Sequence, residues 1–303
     1  MGNYSLVSVL LLILSQKLVM AGSCCGGGAS LPSLIFGDYQ AQIGISATNL
    51  AVTHSANASG AISEVSANQH EVNEVYSLLA SYQLLSKWQM GLVIPYKYNT
   101  KETFSKKEQS GGLGDIKISA AYEFLPEMNF SYYKPRGFIF LEESIPTGYS
   151  SYESRKTMRT DSFGKGFYST SLGVALTKNI SNFDIIVMGD YNYNLKRKFS
   201  DSSEVHPGNG FTSLISFGYT PTQTSFHFGV GALYSYESSA SVKGDITSVS
   251  NSKYTTELNL YSSYLFNGFS LMGQYSDQTF WGQSKNSFLT KSLQISLMKF
   301  FDL

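Results

Sequence analysis

Twelve strand-length segments of alternating polarity, joined by connections that alternate between long and short, constrain this chain more than any single motif. The clearest segment is residues 111–127, GGLGDIKISAAYEFLPE. After its opening glycines, Ile116, Ile118, Ala120, Tyr122 and Phe124 fall on one face. Asp115, Lys117, Ser119, Ala121 and Glu123 fall on the other. Successive side chains of a strand point to opposite faces, so the stretch reads as one uninterrupted strand with an apolar and a polar side. It spans about ten residues, the length of a tilted strand that crosses a bilayer. Pro126 then removes a ladder donor and ends it.

The pattern recurs along the chain. A first strand is expected over residues 38–48, followed by a polar stretch over 52–69. A second runs over 72–84, and a third carries Trp88, Met90, Leu92, Ile94, Tyr96 and Tyr98 on one face. Residues 99–110 (NTKETFSKKEQS up to Ser110) read as a charged, structureless loop. In the fifth strand, 137–146, the outward face is ambiguous, because Phe138/Phe140 and Ile139/Leu141 are both apolar. Seven more follow, the last over 288–303. The connections read long, short, long, intermediate, long, short, long, short, long, short, long. Outer-membrane barrels combine long outer loops, short periplasmic turns and an even strand count. Tyr, Phe and Trp at the strip ends suit interface girdles. Hydrocarbon offers no water to an unpaired strand edge, so such a sheet must close. The expected fold is therefore all-β: a transmembrane antiparallel up-and-down β-barrel of about 12 strands, with both termini periplasmic. A soluble β-sandwich would also bury one face per strand, but it has no need of alternating loop lengths or aromatic strip ends.

Composition agrees. Charged residues are 15% of the chain, against roughly 25% in soluble domains, and aromatics are 14%. Lys+Arg and Asp+Glu are both 22, giving zero net charge, which lacks the basic excess a nucleic-acid binder needs. No apolar run is long enough for a membrane helix. Residues 1–21 read as a signal peptide, with the apolar stretch VSVLLLIL and a small-residue site near Ala21. Residues 22–37 read as a flexible periplasmic segment and 38–303 as the barrel. The adjacent Cys24 and Cys25 fit no disulfide framework; lipid attachment at Cys24 and incidental thiols are the two readings.

No phosphate loop, dinucleotide fingerprint or metal-ligand cluster occurs, so no cofactor is expected. Ser225 and His227 share a strand face, as a nucleophile and its base must, but sit among glycines opposite the apolar strip, as two polar lumen residues would. The ionisable residues of the polar faces, Asp115, Lys117, Glu123, Asp184, Asp190, His227 and Glu257, are the candidates for solute binding or selectivity. The alternative is a charged network that stiffens the interior. Loop cations (Lys101, Lys106, Lys107, Arg155, Lys156, Arg159, Lys196, Arg197, Lys198) could meet lipopolysaccharide phosphates or simply be solvated.

Several motifs carry a family resemblance. They are Ile94-Pro95-Tyr96, the Gly112-Leu113-Gly114-Asp115-Ile116 run into Tyr122-Glu123-Phe124-Leu125, Ile145-Pro146-Thr147-Gly148, and Leu172-Gly173-Val174-Ala175-Leu176-Thr177-Lys178. In order and spacing, over about residues 72–193, the chain resembles outer-membrane barrels associated with the meta-pathway of phenol degradation. That family is similar to outer-membrane fatty-acid and aromatic-hydrocarbon transporters. The resemblance implies an uptake channel, and the expected function is a non-enzymatic, passive passage of small hydrophobic or aromatic solutes by a barrel embedded in outer-membrane lipid and lipopolysaccharide. Its last strand resembles the signal presented to the barrel-assembly machinery. A structural or surface-interaction barrel, and a barrel hydrolase built on Ser225 and His227, are the competing readings.

Overall fold

A computed structural model describes residues 32–66, 68–127, 131, 133–199, 204–243 and 247–302. The expected signal peptide, Cys24, Cys25 and Leu303 lie outside the described residues. Twelve strands build one closed sheet: β1 (Ala41–Ala56), β2 (His70–Leu85), β3 (Trp88–Thr103), β4 (Ile116–Leu125), β5 (Arg136–Ile145), β6 (Ser169–Ile180), β7 (Phe183–Asn194), β8 (Gly210–Tyr219), β9 (Phe226–Glu237), β10 (Lys253–Phe266), β11 (Phe269–Asp277) and β12 (Ser287–Phe301). Each pairs antiparallel with its sequence neighbours. β12 returns to β1, from Ala41 opposite Phe301 to Ala56 opposite Ser287, with one irregularity between Val52 and His54. Closure leaves no barrel edge unpaired.

The short connections gather at one rim and the long ones at the other, as up-and-down topology requires. Asn267 and Gly268 join β10 to β11 with φ of 48° and 72°, the two positive values that a tight hairpin turn of matching twist demands. At this rim aromatic rings pair across strands: Trp88 with Tyr122 (4.9 Å), Phe183 with Tyr219 (4.9 Å) and Phe226 with Tyr264 (4.7 Å). The outward face is apolar all round and open, with Ile45, Leu172, Val187, Phe217 and Ile295 exposed, while the in-between residues Ser119, Ala175 and Ser216 are buried. A continuous apolar belt on the outside with polar and small residues inside is the inverse of a soluble barrel. The ambiguous β5 resolves: Ile139 and Leu141 face out, and Phe138 and Phe140, at 2% and 1% exposure, face the lumen.

Three expectations need correction. Residues 99–110 are not structureless: β3 continues to Thr103, and residues Lys106–Leu113 pair back on it from Thr103 opposite Lys106 to Tyr96 opposite Leu113. Similarly β1 runs on to Ala56, well past residue 48, and β2 starts at His70. Beyond the bilayer a strand needs no apolar face. Its charges satisfy one another across the ladder, as Lys107 does with Glu102 at 3.2 Å and Lys101 with Glu71 at 3.1 Å. Second, residues 111–127 are not one uninterrupted strand. The ladder breaks at Gly114 and Asp115, between Lys106–Leu113 and β4. Pro95 stands opposite the break and accepts from Gly114 N at 2.8 Å. In an antiparallel ladder a residue's N–H and C=O point to the same neighbour, so the donor that Pro95 lacks falls where no partner is aligned. Third, the stretch read as a flexible periplasmic segment is, over residues 32–37, packed inside the barrel.

Candidate functional site

The lumen is built from three parts. The first is the segment at residues 32–37, which rises inside from the short-turn rim. Leu34 and Ile35 are 1% and 4% exposed. Its peptide groups are bonded by side chains of the wall, with no strand ladder. Gln89 Oε1 accepts from Ile35 N at 2.6 Å, and Gln89 Nε2 donates to Ile35 O at 3.3 Å. Gln42 Nε2 donates to Leu34 O at 3.2 Å, and the Ser33 and Ser81 hydroxyls meet at 2.6 Å. Gly91 makes room, since a Cβ there would strike Ser33 O. Arg136 Nη1 donates to Phe36 O (2.9 Å) and Gly37 O (3.1 Å), and its Nε donates to Glu123 Oε1 at 2.7 Å. Side-chain amides and hydroxyls thus replace the water that the segment's peptide groups would otherwise need.

The second part is apolar. Leu34 joins Phe138, Phe140, Ile186, Met188, Leu214 and Leu233 in one buried cluster, with Phe36 set edge-on to Phe138 at 5.7 Å. These side chains come from β5, β7, β8 and β9, so that side of the lumen is filled. Twelve strands leave an interior narrow enough for side chains to do this.

The third part is the long connection at residues 146–168, which folds inward from the opposite rim. Asp115 holds both its ends: Oδ1 accepts from Gly148 N at 3.0 Å and Oδ2 from Lys165 N at 2.7 Å. Asn99 Nδ2 donates to Thr160 O and Ser162 O at 3.0 and 2.9 Å. Thr160 is fully buried. Within the loop, burial raises the Asp161 carboxyl, but the Ser154 hydroxyl and Arg155 N–H outweigh it and hold the group below its usual range. Asp115→Ala removes two charge-assisted hydrogen bonds, so we expect trypsin to cut the loop at Arg155, Lys156 or Arg159 many times faster than in the parent. An unchanged digestion rate would mean that Asn99 suffices.

Between the segment below and the loop above lies a cavity of about 520 Å³ on the β1–β3, β11 and β12 side. Pro32 and Ser33 form its floor, and Ser151, Arg159 and Ser162 its roof. Val75, Val93, Met272 and Met298 line it together with Ser46, Thr48, Asn73 and Gln294, and with Lys97 and Lys101.

The structure places the sequence candidates as follows. Lys117 pairs with Glu142 at 2.9 Å, and Asp190 lies within electrostatic reach of both. Glu123 pairs with Arg136 beside the end of the segment at residues 32–37. His227 Nδ1 meets Thr220 Oγ1 at 3.0 Å and Asp184 Oδ2 at 3.5 Å. Glu257 accepts from Gln278 Nε2 at 3.0 Å. Asp115 is a loop anchor. None of the seven is among the residues lining the cavity. Asn99, Lys97, Gln89 and Arg136 were missed. The first two stand in or beside the stretch taken for a loop, and the last two matter only through a segment not expected inside. Of the loop cations, Lys101, Lys106, Lys107, Lys196 and Arg197 each pair with a glutamate. Among the described residues no group of acidic, His or Cys side chains could hold a metal ion.

No protein-family model matches the chain, and no curated protein sequence matches it. Solved structures do. The crystal structure of an outer-membrane channel from Pseudomonas putida F1 superposes with a TM-score of 0.69 at 15% identity, covering 90% of this chain and 99% of that one. This chain has the fold of an outer-membrane channel. The translocator domain of the autotransporter NalP from Neisseria meningitidis matches at a TM-score of 0.48 and 10% identity, covering 97% and 96% of the two chains. The monoaromatic hydrocarbon channel CymD matches at 0.43 and 11%, covering 88% and 89%. Only the first likeness is close enough to bear on architecture, and its near-complete coverage of both chains makes the channel fold that of the whole barrel.

Proposed function

We propose that this protein sits in the outer membrane and passes small hydrophobic or aromatic solutes passively. The observation that carries the reading is the cavity in the lumen, bounded by a folded-in loop on one side and an inserted segment on the other. A barrel that served only as a wall would not need a cavity of ligand size, in the usual range of about 300–1,000 Å³, between two separately anchored closures. Entry from the long-loop side, weak binding in a mixed polar and apolar lining, and release past residues 32–37 give a path that needs no energy source. Solute passage requires binding weak enough to leave, as in other pores. We read the protein as non-enzymatic. His227 Nδ1 meets Thr220 and Asp184, and its Nε2, the nitrogen that would take the proton of a serine nucleophile, makes no hydrogen bond to Ser225, which favours the non-enzymatic reading. The channel reading predicts ion conductance in planar bilayers and swelling of proteoliposomes in small aromatic solutes. A barrel that is correctly folded by heat-dependent gel mobility, yet gives neither conductance nor swelling, would support the second reading, a surface barrel closed by its apolar lumen cluster.

A further inference from the structure

The cavity is long rather than round. Its lining runs from Gln42 to Leu50 along β1 and from Val93 to Lys101 along β3, roughly 26 Å of strand on each. The facing side of the lumen is filled by the apolar cluster around Phe138 and Phe140, so an ion crossing the barrel has this space as its path. Ser46, Thr48, Asn73, Ser77, Gln294 and Ser296 line it, and their hydroxyls and amides replace part of an ion's hydration shell. The charges on the wall do not cancel. Lys97, Lys101 and Arg159 face the cavity against one lining carboxylate, Glu71, which Lys101 holds at 3.1 Å. Among the described residues Lys97 and Arg159 have no salt-bridge partner. Asp115 lies within electrostatic reach of Lys97, but so do Lys117 and Lys165, and both Asp115 oxygens already accept from Gly148 N and Lys165 N. Arg159 is kept at the roof because the carbonyl of the next residue, Thr160, accepts from Asn99 at 3.0 Å. The excess positive charge therefore sits toward the long-loop end of the path.

We propose that Lys97 and Arg159 make this path anion-selective, so that inorganic anions of the size of chloride cross the barrel in preference to cations. A narrow polar passage between low-dielectric walls focuses the field of its fixed charges, which gathers counter-ions and repels ions of the same sign. Rings of lysine and arginine act in this way in anion pores. Lys101 contributes little, since its glutamate cancels it. Neutral solutes carry no charge for the field to act on, so the selectivity governs which ions accompany them and leaves their own passage alone. This deepens the channel reading and rests on it.

Reversal potentials of the purified barrel in planar bilayers test it, measured between about 0.01 M and 0.1 M potassium chloride, where the Debye length is about 30 to 10 Å. The permeability ratio of chloride to potassium is expected to be at least about three, a modest figure for one uncompensated charge roughly 6 Å from the ion at the dielectric of water. Lys97→Met with Arg159→Gln is expected to bring the ratio to about one. Arg159→Glu, which alters the loop and no strand, should lower it as well. Lys198→Gln, outside the cavity, should keep the parent value. A parent ratio of one or below overturns the proposal, whatever the variants do. So does a folded double variant as selective as the parent. A conducting barrel without chloride preference removes the selectivity and leaves the channel reading standing. A barrel that is folded by heat-dependent gel mobility and conducts no ions removes the channel reading and the selectivity with it.

Discussion

Deleting residues 32–37 is expected to raise single-channel conductance severalfold while leaving the twelve-stranded barrel intact. The segment is the floor of the cavity through Pro32 and Ser33, and its carbonyls and amides are held by Gln42, Gln89 and Arg136. None of the strand ladders includes it, so its removal costs the sheet no hydrogen bond. It does cost Leu34, whose burial in the lumen cluster is nearly complete. Truncating such a leucine destabilises by about 2–5 kcal/mol, which Leu34→Ala should show as a lower temperature for the shift in gel mobility. Gly91→Val approaches the same state from the wall, because its side chain would occupy the space of Ser33 O. It should open the pore without changing the length of the chain. A deletion variant whose conductance equals that of the parent would show that the loop at 146–168, and not the segment, limits passage.

The outward strip of every strand except β5, where Phe138 and Phe140 make the lumen face apolar too, was legible because lipid imposes one requirement on it, and period-two alternation records that requirement directly. Ile118, Tyr122 and Phe124, or Phe226, Phe228 and Val230, could be assigned by phase alone. The upper hairpins were not legible. The run KETFSKKE between Lys101 and Glu108 carries no apolar phase, since both faces of β3 and its partner are wetted there. Its pairing is written in cross-strand charge, Lys107 with Glu102. Reading polarity as loop therefore shortened β1, β2 and β3 alike. The fate of Leu34 and Ile35 could not be read either. A short apolar stretch before the first strand has no periodicity, and its partners Gln89 and Arg136 look like ordinary polar-face residues until the segment lies between them.

The lumen charges sort by a similar logic. Phase was enough to turn Lys117, Glu123, Asp184, Asp190, His227 and Glu257 inward, but phase says nothing of which strand's charge meets which. Lys117 finds Glu142 on the adjacent strand, and His227 finds Asp184 across β8, whose intervening Gly218 has no side chain to keep them apart. The ladder break at Gly114 and Asp115 had a sequence signal, the glycines at 111, 112 and 114, of which the last meets Pro95 in the neighbouring strand. Once the strand breaks there, Asp115 leaves the alternation and becomes free to clamp the loop. The cavity residues Lys97 and Arg159 had no distinguishing signal, because a cation reads the same in sequence whether or not it lines a cavity.

Arg136→Met is expected to be the most damaging single substitution in the lumen. The guanidinium and the Glu123 carboxylate are both about nine-tenths buried, with side chains 11% and 9% exposed. Arg136 also satisfies the carbonyls of Phe36 and Gly37 and lies over the Phe138 ring at 5.2 Å. Removing it strands a buried carboxylate together with two backbone acceptors. Breaking one side of a buried pair typically costs about 3–5 kcal/mol, far more than the pair itself contributes. Two effects should therefore appear together: a lower unfolding temperature in the gel-mobility assay, and a higher conductance as residues 32–37 lose their anchor. The double variant Glu123→Gln with Arg136→Met separates them. Neutralising the orphaned carboxylate should restore most of the thermal stability, with a coupling that a double-mutant cycle measures. The carbonyls of Phe36 and Gly37 remain without their donor, so the conductance should stay high. If the double variant recovers both, the segment is held by the Leu34 cluster alone and Arg136 serves only its glutamate. If it recovers neither, the arginine's packing on Phe138 outweighs its charge.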